Sequence, residues 1–189
     1  MLLVAPACCG RNTTMLSAES GYGDRFFYLL LDDTDIVTGR HLTKIPKAVE
    51  EVRQSLDYTP SAVMICITCV DALLGTDMDR VCRKSSDRAG VPVVPCYMYA
   101  LTREKRLPPM ASVRKSVYSL LKSRKRKSDE VNILGYFSPL QEDCELYSLL
   151  KSAGVKTIRE LSRCDTFEEY EKMSQANFSL VLNAEARYA

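Results

Sequence analysis

Along the chain, short continuous apolar runs alternate with longer stretches in which apolar residues return every three or four positions, the two patterns of strand and amphipathic helix. The runs are Leu2–Ala7, Phe26–Leu31, Ala62–Ile67, Val91–Cys96, Val131–Phe137, Val155–Leu161 and Phe178–Leu182. Ala62–Ile67 is the clearest strand, continuous and β-branched like a central parallel strand buried on both faces. The helical stretches run from about Thr13 to Ser20, from Thr43 to Leu56 with Ile45, Val49, Val52 and Leu56 in period, and through Met78, Val81 and Cys82 with a break at Gly75 and a stop at Gly90. Val113–Leu121, Cys144–Ala153 and Phe167–Ser174 complete the set. Asp32-Asp33-Thr34-Asp35 is a polar turn rich in helix N-cap residues, and Pro46 fits a helix only in its first turn. Strand followed by helix, repeated, predicts an α/β fold in three layers, with a doubly wound, mostly parallel, Rossmann-like sheet and right-handed crossovers. Residues 1–189 are read as a single domain of this kind.

Composition narrows the function. The 189 residues carry 26 Lys+Arg and 24 Asp+Glu, a net charge of +2, with 46% apolar residues. The apolar fraction supplies a core, and the balanced charge argues against both disorder and a dedicated nucleic-acid binder. No stretch approaches the roughly 20 apolar residues of a membrane span. The opening Leu2–Cys8 lacks the basic start and the apolar length of a secretion signal, so it reads as a strand entered at the first residue. A chain that begins inside a strand reads as part of something longer. The one dense basic run, Lys122–Lys127, is either a solvated loop suited to a helix C-terminus or a phosphate- or partner-docking segment.

Eight Cys and a single His change the picture most. Cys8 and Cys9 are adjacent, Cys66 and Cys69 form C-x-x-C, and Cys82, Cys96, Cys144 and Cys164 are scattered. That uneven spacing without a signal segment favours reduced thiols in a cytoplasmic protein over a disulfide framework. One His makes His-based zinc or Ser-His-Asp chemistry improbable. In open α/β sheets, ligands bind beyond the carboxyl ends of the strands. Cys8-Cys9 and Cys66/Cys69 both fall at such ends, about 60 residues apart in sequence. Neighbouring strands would bring them together as a thiolate site, and thiolate suits iron–sulfur clusters and zinc. Cys66, inside an apolar strand, is the better core candidate. A zinc or dithiol site on Cys66 and Cys69 alone remains the alternative. The other four cysteines are assigned to packing or surface. Gly21-x-Gly23 lacks a third glycine and makes no phosphate loop.

An ordered series of motifs spans nearly the whole chain: Ala5-Pro6-Ala7-Cys8-Cys9-Gly10, Asp35-Ile36-Val37-x-Gly39, Thr68-Cys69-x5-Gly75-x-Asp77, Pro92-Val93-Val94-Pro95 and Val131-Asn132-x-Leu134-Gly135. The series resembles the nitrogenase component 1 family, which includes the molybdenum–iron protein subunits, their cofactor-assembly scaffolds and dark-operative protochlorophyllide reductase-like proteins. The matching part is that family's first Rossmann-like domain. The resemblance implies that Cys9 and Cys69 are metal ligands of an iron–sulfur cluster (4Fe-4S) at the interface with a homologous component 1 subunit, with a further cysteine from a segment upstream of Met1. It also implies an ATP-dependent iron protein as electron donor, and either electron relay to a bound substrate or metallocofactor, or a non-catalytic scaffold role in metallocofactor assembly. Asp77 is expected to cap a helix. The chain departs from the family at Cys8, which stands where glycine is usual, and at Tyr97-Met98, in place of Gly-Phe. It stops after Asn183-Ala184-Glu185, where family members continue into further domains, so it reads as one domain of a larger protein or a reduced member, inactive as an isolated chain.

Overall fold

Every apolar run expected to form a strand does so. The computed structural model describes residues 1–97 and 107–189, which group as two compact units, Met1–Ser116 and Val117–Ala189. The first unit holds β1 (Leu2–Ala5), β2 (Phe27–Leu30), β3 (Val63–Ile67) and β4 (Val93–Tyr97), all parallel, in the order β2-β1-β3-β4. Its helices are α1 (Ala7–Glu19), α2 (Asp33–Val37), α3 (His41–Ser55), α4 (Cys69–Leu73), α5 (Met78–Ala89) and α6 (Pro109–Tyr118), the last running into the second unit.

Side chains on a strand alternate between faces, so each strand feeds two cores. Leu2, Val4, Val63, Ile65, Ile67 and Val93 pack with Ile45 and Val49 of α3 and Val81 and Cys82 of α5. Leu3, Ala5, Cys66 and Cys96 form the opposite core, against Phe26, Met64 and Val113 of α6. This is the three-layer, Rossmann-like layout expected from the sequence.

Local chemistry fixes several helix ends. Asp32 caps α2 in a capping box with Asp35, each side chain accepting the other's backbone N–H. Asp77 caps α5 by accepting from the Arg80 N–H at 3.0 Å, the role expected of it. Gly90 ends α5 with φ +70°, a left-handed conformation in which glycine carries no Cβ penalty.

Two local expectations are corrected. The first helix begins at Ala7 rather than near Thr13, because extended Pro6 occupies the N-cap and the chain turns straight from β1 into helix. Pro46 lies within α3 rather than in its first turn, because the helix starts earlier, at His41. The missing N–H is that which would bond Leu42, an exposed residue. Of the Tyr97-Met98 departure, Met98 lies outside the described residues.

The second unit is a parallel sheet of β5 (Lys127–Leu134), β6 (Thr157–Glu160) and β7 (Ala176–Val181) in the order β6-β5-β7. Helix α7 (Glu145–Ser152) contributes Leu150 to a core with Val131 and Ile133, and α8 (Phe167–Lys172) contributes Tyr170 to another with Leu134 and Met173. Buried Glu160 accepts the Leu140 N–H at 3.1 Å and hydrogen bonds from Tyr147 and Arg163. Within the basic run, Arg124 pairs with Glu171 at 2.8 Å and Lys127 opens β5 and pairs with Glu130 at 2.8 Å. Part of that run is therefore structural.

Ile65 is fully buried on the central strand of the first sheet. Truncating a buried Ile to Ala leaves a cavity and removes packing, so Ile65→Ala is expected to cost about 2–5 kcal/mol in a urea unfolding experiment.

Candidate metal centre

Strand order in the first sheet reverses between β1 and β3. From β1 the chain passes to β2 on one side, and from β3 to β4 on the other. Right-handed crossovers leave such a sheet on opposite faces, and ligands of doubly wound folds bind beyond the carboxyl ends of the strands at this reversal. The register sets Val4 opposite Ile67, so the two ends stand level. Cys9 follows β1 in the first turn of α1, and Cys69 follows β3 as the first residue of α4.

Cys9 is exposed and Cys69 partly exposed, and neither is in a disulfide. The Cys9 N–H bonds the Pro6 carbonyl at 3.1 Å, closing the first turn of α1. A helix N-terminus favours the ionised sulfur. Cys8 lies in the same turn, its side chain outside the described residues.

Cys66 belongs to a different environment. It stands directly opposite Cys96 on β4, and both side chains are buried in the second core. The thiol–thiol hydrogen bond with Cys96, together with burial, pushes the Cys66 thiol far up, so it stays protonated. Burial likewise pushes Cys82 up to about 12. Cys144 sits at the N-cap of α7, and half-buried Cys164 bonds the Glu160 carbonyl at 3.3 Å. The C-x-x-C spacing thus joins one core thiol to one accessible thiol, which disfavours a two-cysteine site on Cys66 and Cys69.

The donor set fits an iron–sulfur group in part. Among the described residues no group of three or more His, Cys, Asp and Glu is placed to hold a metal ion. Two accessible thiols at adjoining strand ends would supply half of the four thiolates that such clusters take. They suit a cluster completed by ligands from elsewhere.

Sequence reasoning missed the polar support beneath Cys69. Asp71, two residues on, is 2% exposed, and neither of its carboxylate oxygens has a hydrogen-bond partner among the described residues. Burial pushes its carboxyl above the usual range, while the nearby His41 ring and Thr76 hydroxyl favour the charged form. His41, the single histidine, is also buried. Its Nδ1 lies 3.2 Å from the Asp35 carbonyl, and Thr76 Oγ1 is a long 3.5 Å from Nε2. A carbonyl only accepts, so Nδ1 is the donor in the contact with Asp35. Asp35, fully buried, is ion-paired with Lys44, whose hydrogen bond holds the carboxyl below its usual range. His41 and the Asp71–Thr76 segment lie far apart in sequence, and no local pattern announces that they meet.

The sequence model of the nitrogenase component 1 type oxidoreductases matches residues 1–189. The nitrogenase iron-molybdenum cofactor biosynthesis protein NifE of Rhizobium meliloti is 33% identical over 125 residues, covering 65% of this chain and 26% of that protein. NifE of a Nostoc species is 25% identical over 192 residues, covering 98% of this chain and 39% of that protein. The nitrogenase molybdenum-iron protein alpha chain of Methanosarcina barkeri is 27% identical, covering 92% of this chain and 33% of its own. The solved structure of nitrogenase Cp1 at pH 5 superposes with a TM-score of 0.71 at 20% identity, covering 98% of this chain and 39% of that one, a likeness of fold. The chain therefore spans about a quarter to two-fifths of the length of these proteins.

Asp71 offers a pH test of the site's electrostatics. Its folded-state value lies above the unfolded value of 3.8, so burial costs no extra free energy below that pH and an increasing amount as pH rises through the folded value. The thermal midpoint of Asp71→Asn, measured against that of the native chain, is expected to gain as pH rises from 3.8 to the folded value of the Asp71 carboxyl and to level off above it. A difference independent of pH would contradict the burial reading.

Proposed function

The chain belongs to the nitrogenase component 1 type oxidoreductase family, and from that premise we propose that Cys9 and Cys69 ligate an iron–sulfur cluster shared with cysteines outside this chain. The observation that carries the reading is the pair of accessible thiols at the level ends of β1 and β3, where strand order reverses. We take residues 1–189 as one Rossmann-like portion of a longer component 1 protein.

Within this reading, Cys9 and Cys69 bind iron as thiolates, and the N-terminal turn of α1 stabilises the anionic sulfur of Cys9. The buried Asp71 and His41, with half-buried Thr76, brace the α4 turn that carries Cys69. When bound, a cluster of the 4Fe-4S type supplies one-electron chemistry. The electrons would come from an ATP-dependent iron protein and pass to a bound substrate or metallocofactor. Exposed apolar residues on the two helices that carry the cysteines support a covering partner: Met15 and Leu16 on α1 and Leu73 on α4, the last 73% exposed. A homologous component 1 subunit is the partner this reading names. No helix among the described residues is long and apolar enough to cross a membrane; the cytoplasmic setting belongs to the proposal and rests on the family membership.

A second reading, a scaffold that holds a metallocofactor during assembly, is favoured by the relatives named as cofactor biosynthesis proteins. A scaffold is expected to hand its cofactor on and show little turnover in a steady-state reduction assay with the iron protein. A relay is expected to sustain turnover.

Both readings need the same ligands. Anaerobic reconstitution of the protein with its homologous subunit, iron and sulfide is expected to give a visible chromophore. Cys9→Ser and Cys69→Ser should each lose most of it, whereas Cys66→Ala should keep it. Metal binding, including that of added zinc, that survives Cys9→Ser and is lost in Cys66→Ala and Cys69→Ser would instead establish the zinc or dithiol alternative.

A further inference from the structure

Cys9 sits in a helical turn gripped from outside by a residue of the neighbouring strand. Tyr28 lies on β2, opposite Leu3 of β1, and its hydroxyl donates a hydrogen bond to the Pro6 carbonyl. That carbonyl also accepts from the Cys9 N–H, so one oxygen ties the helix entry both to Cys9 and to β2. On the far side of Cys9, the Tyr28 ring occupies the space beside Gly10. A Cβ at Gly10 would stand 2.5 Å from Tyr28 Cζ and 2.7 Å from Cε2, closer than any real contact. Gly10 is buried, whereas most of α1 is exposed. Tyr28 therefore holds the residues flanking the Cys8-Cys9 pair, Pro6 by a hydrogen bond and Gly10 by close packing.

We propose that Tyr28 is a positioning residue for Cys9, fixing the first turn of α1 so that the Cys9 thiol is presented at the strand ends in one orientation. The inference rests on the assignment of Cys9 as a cluster ligand. The physical need follows from the helix itself. Few side chains of α1 are buried, so little packing holds its N-terminal turn, and Pro6 offers no side-chain cap. The Tyr28 hydroxyl and ring supply the missing restraint, and the absence of a side chain at Gly10 is the space they require.

Two measurements on Tyr28→Phe separate this claim from the one beneath it. The variant keeps the ring and loses the hydroxyl. In the metal-free protein, amide hydrogen exchange in the first turn of α1 is expected to quicken about fivefold, the scale set by one net hydrogen bond, while β3 amides exchange as before. In the reconstituted protein with its partner subunit, iron release to a chelator is expected to quicken by about the same factor, with an altered electron paramagnetic resonance spectrum that a purely structural role would not produce. Gly10→Ala, which drives a methyl group into the same ring, is expected to repeat both effects. Unchanged exchange in the first turn of α1 overturns the proposal whether or not the protein takes up iron. Faster exchange with an unchanged iron-release rate and spectrum overturns it as well. Failure of the unsubstituted protein to bind iron would refute the cluster assignment, leaving the exchange result to decide the restraint by itself.

Discussion

A parallel sheet can be extended on both sides from its central strands only if the crossover helices leave on opposite faces, and the point of reversal is left uncovered. In this chain the reversal lies between β1 and β3. The consequences run outward from there. Residues of alternate parity on these strands feed two separate cores, which locks the register and levels the strand ends. The turns beyond those ends then stand side by side, and each begins a helix with a cysteine in its first turn. The metal centre proposed here is thus a product of topology more than of local sequence.

The surroundings of the two cysteines differ in kind. Around the turn that carries Cys69, the restraint is polar: buried Asp71 and His41 and half-buried Thr76 bring the α4 turn against the start of α3, and the Asp35–Lys44 pair anchors that start. Beside Cys9 it is an aromatic side chain at the edge of the sheet, packed on a glycine. Buried polar groups of this kind are expensive to leave unpaired, so each narrows the conformations open to the turn it touches. Cys66 shows the opposite case. Its partner across the sheet is Cys96, and the pair behaves as core, with its thiol kept protonated.

Much of this was legible in the sequence, for physical reasons. Continuous apolar runs marked the seven strands of the described residues, most clearly β1 and β3, which are buried on both faces as central parallel strands are, and Asp77 was readable as a cap because an N-terminal Asp satisfies an orphan N–H. Cys9 and Cys69 could be placed at strand ends from the order of elements alone. The early start of α1 was hidden because Pro6, small residues and Gly10 read locally as a turn, whereas the helix is held there by Tyr28, some twenty residues away. Tyr28 itself sat within an apolar run and gave no signal. His41, Asp71 and Thr76 were equally silent, since their meeting depends on the packing of α3 against the α4–α5 turn. The division of seven strands between two sheets is set by long-range pairing, which apolar periodicity does not encode.

The central claim is that the two strand-end cysteines serve one metal group together. It is tested most directly by per-cysteine alkylation of the anaerobically loaded protein with its partner subunit, read by peptide mass spectrometry against the metal-free form. The account expects Cys9 and Cys69 to become protected together, in proportion to bound iron, while Cys144 and Cys164 react as before. Iron-loaded protein in which either Cys9 or Cys69 alkylates as fast as in the metal-free form would contradict it.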